Sequence, residues 1–458
     1  MIKSIATTES ELIRICRRDI ADEVLSIARL SLLDWLGCVF AARATPVAKA
    51  WACALGADGE DALPNALSPT RMDPQGAALA LGAFGNVLEM DDLHRASILH
   101  PGDTICAAAL AVAMRRPTSG PALLAAIVRG YEIAIRIGTA VATGGYTPFY
   151  NSGTCGVFGA AMAAGGLKRL DQEQLADAIG QAGMQAAGIW QCRLEPSFSK
   201  QLATAHAARA GVLSAELGAA GFLAPRRILT GKMGFFKSYY PKADTTALTV
   251  PAPWAITMMS YKPFPACRHT HPAISAALAL GAGLSEPVRQ VDIHTYRAAL
   301  DFCDNAAPDT PDQARFSLQH AVAIALQKGA PEIADFDPPA IQSPPLKTLR
   351  GLVRLHLDPE CDAAFPRQYG ARIVVTTADG RVRDATCPAA WGDPENPMSQ
   401  PDLIAKFHRN AAHGGLPPAG ARTISEAVLA LPDAADLAGL TQALTKAFAP
   451  EQETARCR

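Results

Sequence analysis

The stretch EMDDLHRASILHPGD, residues 89–103, places several acidic and imidazole side chains within an otherwise apolar part of the chain. Asp91, Asp92, His94 and His100 could bind a divalent metal, transfer a proton or form a charged surface turn. Their irregular spacing matches no strong metal-ligand pattern, which disfavours a metal site. The stretch leads at once into the apolar run ICAAALAVAM, where charges need a buried partner, which disfavours a surface turn. The residues alone leave all three open.

A second group of charged side chains lies in SYKPFPACRHTHPAISAALAL, residues 260–280. Arg268, His269 and His271 precede a predicted helix there. A guanidinium fork binds a carboxylate with two parallel hydrogen bonds, and a helix N-terminus favours the same negative charge. The pattern therefore predicts a carboxylate site at Arg268. His269 fits either a substrate-binding role or an ordinary core or capping role.

Lysine and tyrosine side chains supply two further candidates for proton transfer. Lys200 begins an Ala-rich helix, where it is either a solvated charge or a general base whose pKa is lowered by burial. Tyr146 and Tyr150 lie in GGYTPFYNSG, a loop before another predicted helix. There they serve either as packing groups or as proton donors to a pocket.

The composition of the 458 residues narrows the class of protein. Lys plus Arg total 42 and Asp plus Glu total 43, so the charge balance predicts neither a nucleic-acid partner nor a membrane surface. The 11 cysteines include no CxxC pair, which is typical of reduced thiols rather than of a disulfide framework or a zinc knuckle. The N-terminus lacks a signal-peptide pattern, and the longest apolar run is too short to cross a bilayer. We expect a cytoplasmic protein.

The pattern of apolar residues divides the chain into two kinds of structure. Residues 8–250 form one Ala- and Gly-rich helical segment after another, which is typical of a tightly packed helical bundle. Alternating segments appear later, in PVRQVDIHTYRAAL, GLVRLHLDPE and GARIVVTTADGRVRDATC, the last with a hairpin turn at residues 378–380. The sequence predicts a mainly α fold, with an all-helical domain (1–267, completed by 405–458) and a smaller α+β lid domain (268–404).

Taken together, these stretches resemble the MmgE/PrpD family, which includes 2-methylcitrate dehydratases, cis-aconitate decarboxylases and iminodisuccinate epimerases. The matching pieces are EMDDLHRASILHPGD, FYNSGTCGVFGAAMAAG, Lys200 in its helix, YKPFPACRHTH, ARFSLQHAVAIAL and GDPENPMSQPDLIAKF. The resemblance implies a large helical domain with a smaller α+β lid, a homodimer, and a small polycarboxylate substrate. It also implies that no metal and no organic cofactor take part.

The resemblance assigns roles to individual residues. It implies that His100, Lys200 and His271 are pocket residues, with Asp91 and Asp92 beside them, and that Arg268 holds a substrate carboxylate. The predicted catalytic set is Lys200, Tyr150, His100 and His271. The predicted substrate-binding set is Asp91, Asp92, His94, Tyr146, Arg268, His269 and His320.

Two positions depart from the family pattern. Dehydratases and decarboxylases of the family tend to carry a His where this chain has Tyr150, and cis-aconitate decarboxylase has a Tyr where this chain has His320. A lysine facing a tyrosine is a set associated with the epimerase branch. This altered acid/base set favours that branch over a simple transfer of the lyase activities.

The leading functional prediction is therefore an isomerase that epimerises a small imino- or amino-dicarboxylate, similar to iminodisuccinate. Lys200 and Tyr150 would act as bases on opposite faces of a carbon next to a carboxylate, and His100 or His271 could replace Tyr150. The alternative is a lyase similar to 2-methylcitrate dehydratase. A binding-only relative is a third hypothesis, disfavoured by the density of ionisable groups.

Overall fold

The computed structural model describes residues 7–56, 62–68, 71–195, 197–281 and 287–448. Helices dominate this part of the chain, and four strands form one small mixed sheet. The predicted mainly α fold with a smaller α+β part is confirmed. The fold class could be predicted because the helical and the alternating apolar periodicities occupy different parts of the sequence, so helices and strands are not confused with one another.

Packing divides the chain into two compact units. The helical unit consists of the described residues of Met1–Val87, Asp92–Met258 and Gln400–Arg458. The α+β unit consists of those of Leu88–Asp91 and Met259–Ser399. The short segment Leu88–Asp91 packs with the α+β unit although its sequence neighbours belong to the helical one. The domain boundaries expected after residues 267 and 404 stay a prediction.

The helical unit has close contacts between helix backbones. A methyl group on Gly130 would lie 2.8 Å from the carbonyl oxygen of Gly159, and one on Gly159 would lie 2.7 Å from that of Gly130. The helices Gly120–Val141 and Gly156–Leu167 therefore touch through their main chains. The α-helices of this unit are Thr8–Cys16, Asp22–Ala42, Pro46–Ala54, Ala62–Leu67, Pro74–Leu81, Gly102–Ala113, Gly120–Val141, Asn151–Thr154, Gly156–Leu167, Gln172–Gly183, Gln191–Leu194, Ser199–Ala219, Phe235–Tyr239, Gln400–His413, Pro418–Leu429 and Ala438–Phe448, with 3₁₀ turns at Arg95–Ser97, Ala142–Gly144, Thr245–Leu248, Ala255–Met258 and Leu431–Asp433.

The helix Asp22–Ala42 is apolar over most of its surface. By length and composition it could cross a membrane, but 67% of its apolar window is buried inside the protein. Lys406 reaches its one buried carboxylate, Asp34, at 2.6 Å, and neither side chain is exposed. Its apolar surface is therefore explained by burial within the helical unit, as is usual for a helix that is hydrophobic nearly all round.

The α+β unit is built on a sheet with the strand order Val353–Leu357, Val288–Thr295, Ala371–Thr377, Val382–Cys387. The first two strands are parallel and the other neighbours are antiparallel. Its α-helices are His271–Leu280, Arg297–Cys303, Pro311–Arg315, Leu318–Lys328, Pro338–Ile341, Pro344–Gly351 and Pro359–Ala364, with 3₁₀ turns at Arg268–Thr270 and Ile333–Phe336.

The register of the sheet follows the alternation of its apolar residues. Val291 pairs with Val375 and Ile293 with Ile373, and all four side chains are buried. Because side chains alternate between the two faces, this register turns every buried residue of both strands toward one side. The predicted hairpin is confirmed: Gly380 has a φ of 85° in the turn between the last two strands.

Candidate functional site

The stretch 89–103 is an irregular segment that folds inward. Glu89 and Ile98 both adopt the left-handed backbone conformation, with φ of 54° and 50°. Non-glycine residues rarely do so, and such strain is held in place by surrounding contacts. Asp91 and Asp92 are at most 2% exposed. The interpretation as a charged surface turn is therefore wrong, because these carboxylates find partners inside the protein.

Asp92 of the helical unit fixes the orientation of His100. Its carboxylate accepts hydrogen bonds from the Tyr131 hydroxyl at 2.8 Å and from the Gly102 amide at 3.1 Å. Its main-chain carbonyl lies 3.0 Å from Nδ1 of His100. A carbonyl only accepts, so Nδ1 carries the proton, and the lone pair of the neutral ring is on Nε2. In this tautomer Nε2 is the nitrogen that could accept a proton.

Tyr131 is held as a donor in this arrangement. Burial and the nearby Asp92 carboxylate raise the pKa of the Tyr131 hydroxyl well above its usual value. The hydroxyl therefore stays protonated and continues to donate to Asp92. Asp92 thus acts by positioning the chain around His100, since both of its carboxylate oxygens bind protein groups.

The helical unit brings the segments of three predicted catalytic residues together. The amide of His100 donates to Oγ of Ser152 at 2.9 Å, and the amide of Tyr150, two residues earlier, donates to the carbonyl of Gly188 at 3.1 Å. A methyl group on Gly188 would contact both Tyr150 and Ala203. Ala203 follows Lys200 by three residues, about one helical turn, in the helix Ser199–Ala219.

An aromatic cluster surrounds the predicted tyrosines. Trp190 lies 4.5 Å from the Tyr150 ring and 5.9 Å from the Tyr146 ring, measured between centroids. Tyr150 is fully buried, whereas Tyr146 and Lys200 are half-buried. His100, Tyr146, Tyr150 and Lys200 are therefore carried by neighbouring segments. The pairing of Lys200 with Tyr150 across one substrate carbon stays a prediction.

His94 has a different environment from His100. Its Nδ1 lies 2.9 Å from Oγ of Ser97, and burial, with a smaller contribution from Arg95, lowers the pKa of His94 to about 4. At neutral pH the ring is uncharged. An uncharged ring attracts a substrate carboxylate less than the cation would, which weakens the predicted substrate-binding role.

The α+β unit contains a buried lysine that the sequence did not single out. Nζ of Lys262 lies 3.2 Å from the Asp91 carboxylate and 3.3 Å from the Glu89 carboxylate. Lys262 and Asp91 have no exposed side-chain surface. The signal was present in YKPFPACRHTH, where a lysine stands within an apolar, proline-rich run. Asp91 forms a buried ion pair with Lys262, and its predicted substrate-binding role stays a prediction.

Contacts of Arg268 within the protein argue against its predicted role. Its guanidinium forms a short hydrogen bond with the Asp393 carboxylate and donates to the carbonyl of Trp391 at 3.3 Å. It also lies 3.2 Å from Nδ1 of His271 and is 2% exposed. A fork that already holds Asp393 has little capacity left for a substrate carboxylate. We infer that Arg268 positions the loop around Asp393.

His271 and His320 are held in the same way in the α+β unit. Nε2 of His271 donates to the carbonyl of Ala266 at 3.0 Å, and its Nδ1 accepts from Arg268. Nε2 of His320 donates to the carbonyl of Asp335 at 2.8 Å, and its Nδ1 accepts from Arg350 at 2.9 Å. Both nitrogens of each ring are engaged. These contacts argue against catalysis by His271 and substrate binding by His320.

His269 lies within an aromatic cluster of the α+β unit. Its Nδ1 lies 2.7 Å from the Tyr296 hydroxyl, and its ring stacks on Tyr369 with centroids 5.2 Å apart. Phe302 and Phe365 complete the surroundings. The geometry supports the core role that the sequence left open for His269, rather than substrate binding.

The buried histidines should make the protein less stable in mild acid. Burial lowers the pKa of His320, like that of His94, to about 4 from an ordinary 6.5. The unfolded chain therefore binds more protons between these values, and stability present above pH 6.5 is lost as the pH falls toward 4. Each ring accounts for at most about 3 kcal/mol.

Urea unfolding at pH 7, 6 and 5 measures this loss, and NMR titration reports the charge of the two rings. We expect the unfolding midpoint to fall with pH while both rings stay neutral in the folded protein at pH 5.5. Protonation of either ring above pH 6 in the folded protein would contradict this assignment.

Metal ligands were a third alternative for stretch 89–103. Within the part of the chain that the structure describes, no group of three His, Cys, Asp or Glu side chains is arranged to hold a metal ion. The expectation that the reaction needs neither metal nor organic cofactor stays a prediction.

Comparison with known proteins matches nearly the whole chain to two family models. The MmgE/PrpD N-terminal domain matches residues 13–247, and the MmgE/PrpD C-terminal domain matches residues 264–433.

Three relatives illustrate the similarity. A cis-aconitate decarboxylase of Mus musculus is 27% identical over 364 residues, covering 75% of this chain and 72% of the relative. The cis-aconitate decarboxylase-like protein oryM of Aspergillus oryzae is 26% identical over 457 residues, covering 92% and 93%. A 2-methylcitrate dehydratase of Cupriavidus necator is 24% identical over 432 residues, covering 84% and 85%.

Proposed function

Since the chain belongs to the MmgE/PrpD family, we propose that it is a lyase that acts on a small polycarboxylate. The observation that carries this proposal is that its relatives are named as a decarboxylase and a dehydratase, both lyases. They favour the lyase alternative over the epimerase that the altered acid/base set suggested. Dehydration of a hydroxy-tricarboxylate is the first candidate reaction.

Dehydration requires one base and one acid. A base removes the proton from a carbon next to a carboxylate, the carbon–oxygen bond breaks, and an acid protonates the hydroxyl so that it leaves as water. The Nδ1–H tautomer of His100 supports its role as the base, since the lone pair is on Nε2. Lys200 and Tyr150 belong to residue types that carry protons at neutral pH, which supports either as the acid.

Decarboxylation is a second candidate, because relatives of 27% and 26% identity carry that name. Loss of carbon dioxide leaves an enolate-like charge, which cationic groups stabilise, and a donor then protonates the carbon. The His320 position, where the family resemblance gives cis-aconitate decarboxylase a Tyr, supports dehydration as the first candidate. A homodimer and a cytoplasmic location stay predictions that accompany either reaction.

Product analysis distinguishes these reactions. The purified protein is incubated in D₂O with 2-methylcitrate, citrate, cis-aconitate, or an amino- or imino-dicarboxylate, and products are followed by NMR while carbon dioxide is measured. We expect an alkene and no carbon dioxide from one of the hydroxy acids. Carbon dioxide from cis-aconitate would establish the second candidate. Deuterium incorporation into an amino- or imino-dicarboxylate, with neither lyase product, would overturn the proposal and restore the epimerase.

A further inference from the structure

Arg315 is a buried arginine of the α+β unit whose guanidinium has no hydrogen-bond acceptor among the residues that the structure describes. It ends the helix Pro311–Arg315 and is 5% exposed. Among the residues that the structure describes, none forms an ion pair or hydrogen bond with its guanidinium, and Nε is buried without a partner. Burying a charge without a partner is costly, so such groups are rare unless something else neutralises them.

Three other buried arginines of this protein have acceptors at other guanidinium nitrogens, although Nε of Arg268 and Nε of Arg350 lack a partner as Nε of Arg315 does. Arg136 donates to Glu132 and to three main-chain carbonyls. Arg268 is bound by Asp393, and Arg350 donates to the carbonyl of Ile341 and to His320. All three are at most 5% exposed, as Arg315 is. The fold therefore satisfies comparable guanidinium groups and leaves that of Arg315 available.

The surroundings of Arg315 within the α+β unit include Cys267 and the charge of Glu89. Its main-chain carbonyl accepts a hydrogen bond from the Cys267 amide at 2.9 Å. Burial lowers the pKa of Arg315, while the carboxylates of Asp312, Asp337 and Glu89 oppose this from beyond ion-pairing distance. Glu89 is already engaged with Lys262. Because an arginine keeps its charge even when buried, an anion bound next to Arg315 would be strongly stabilised.

We infer that Arg315 binds a carboxylate group of a small polycarboxylate through its guanidinium fork. The choice of a polycarboxylate rests on the proposed function, whereas the demand for an anion rests on the geometry alone. Arg315 thereby takes the role that the sequence had assigned to Arg268. The planar fork matches the two oxygens of a carboxylate, which lysine cannot reproduce.

Calorimetric titration with tricarballylate tests this binding separately from turnover, because this tricarboxylate has neither a hydroxyl group nor an alkene. Arg315→Met should weaken binding by roughly 10- to 100-fold, as expected for one charged hydrogen-bonded pair. Arg315→Lys should recover only part of it. Arg372→Met, which changes an exposed arginine of the same unit, should bind as the wild type does.

Thermal unfolding separates a binding role from a structural one. Arg315→Met should unfold at the wild-type temperature or above it, because it removes an unneutralised buried charge. Arg268→Met should unfold at a lower temperature, because it leaves the buried carboxylate of Asp393 without its cation. A destabilised Arg315→Met variant that still binds tricarballylate would overturn the inference, as would equally tight binding of inorganic phosphate by the wild type.

The inference and the proposed function fail in different ways. If the wild type binds tricarballylate through Arg315 but turns over none of the lyase substrates, the inference stands and the proposed function falls. If turnover is found and Arg315→Met binds tricarballylate unchanged, the inference falls and the proposed function stands.

Discussion

Replacement of His100 by glutamine lowers kcat by roughly 10²- to 10⁴-fold, the range expected when a general base is lost. Glutamine can still donate to the Asp92 carbonyl from its amide, but it has no basic nitrogen in place of Nε2. Steady-state kinetics on whichever polycarboxylate proves to be the substrate measures the change. The thermal unfolding temperature should stay close to that of the wild type.

His206→Gln is the matched control. His206 lies in the same unit, is half-buried, and also bonds a main-chain carbonyl, that of Gln185 at 3.2 Å. It has no place among the predicted catalytic residues, so kcat should change little. If the His100 and His206 variants had the same kcat as the wild type, His100 would not be the base.

Replacement of Lys262 by methionine produces the largest expected loss of stability, about 3–5 kcal/mol. Methionine fills much of the same space, but it leaves the carboxylates of Glu89 and Asp91 buried without their cation. The strained backbone at Glu89 then loses one of the contacts that hold it. Urea unfolding at pH 7, with separate signals for the two units, measures the loss.

Two comparisons identify the cause of that loss. Lys347→Met changes an exposed lysine of the same unit and should alter stability by no more than about 0.5 kcal/mol. Adding Glu89→Gln and Asp91→Asn to Lys262→Met removes the abandoned charges and should recover part of the stability. A Lys262→Met variant as stable as the wild type would show that the ion pair contributes nothing to the fold.

Local patterns were sufficient to predict the elements of the fold. The alternating pattern in ARIVVTT indicates a strand, which the structure has at Ala371–Thr377, just before the turn at Gly380. The apolar run that follows Asp22 is typical of a buried helix, which the structure has at Asp22–Ala42. Both features depend on neighbouring residues, whose spacing is visible in the sequence. The apolar pattern of DPQGAALALGAFGNVLEM continues to Met90, but the helix that begins it ends at Leu81.

A close contact follows the end of that helix, and the periodicity of the sequence does not reveal it. A methyl group on Gly85 would lie 1.8 Å from a carboxylate oxygen of Asp103 and 2.6 Å from the indole nitrogen of Trp35. The chain comes so close to these groups only because Gly85 has no side chain. This contact joins three distant parts of the sequence, so no local pattern predicts it.

The same limitation explains why the sequence could not assign the partners of the charged residues in the candidate site. A sequence shows which side chains are present, but the role of an arginine depends on its partner. Arg268 looked available because its partner, Asp393, lies 125 residues further along the chain. Arg315 lies inside the stretch ARFSLQHAVAIAL. Only the folded structure shows that its guanidinium lacks a partner among the described residues. His100 was predicted by residue type, but its tautomer depends on a main-chain carbonyl.

The contact between the backbones at Gly130 and Gly159 restricts how this enzyme can be engineered for heat resistance. Replacing a helical glycine by alanine commonly raises stability, because alanine restricts the unfolded chain and favours the helix. At these two positions the added methyl group would push the helices apart. Gly166, with no atom within 4 Å of such a group, is free of this obstacle. A library of variants designed from helix propensity alone would treat all three positions alike, although alanine fits without a clash only at Gly166.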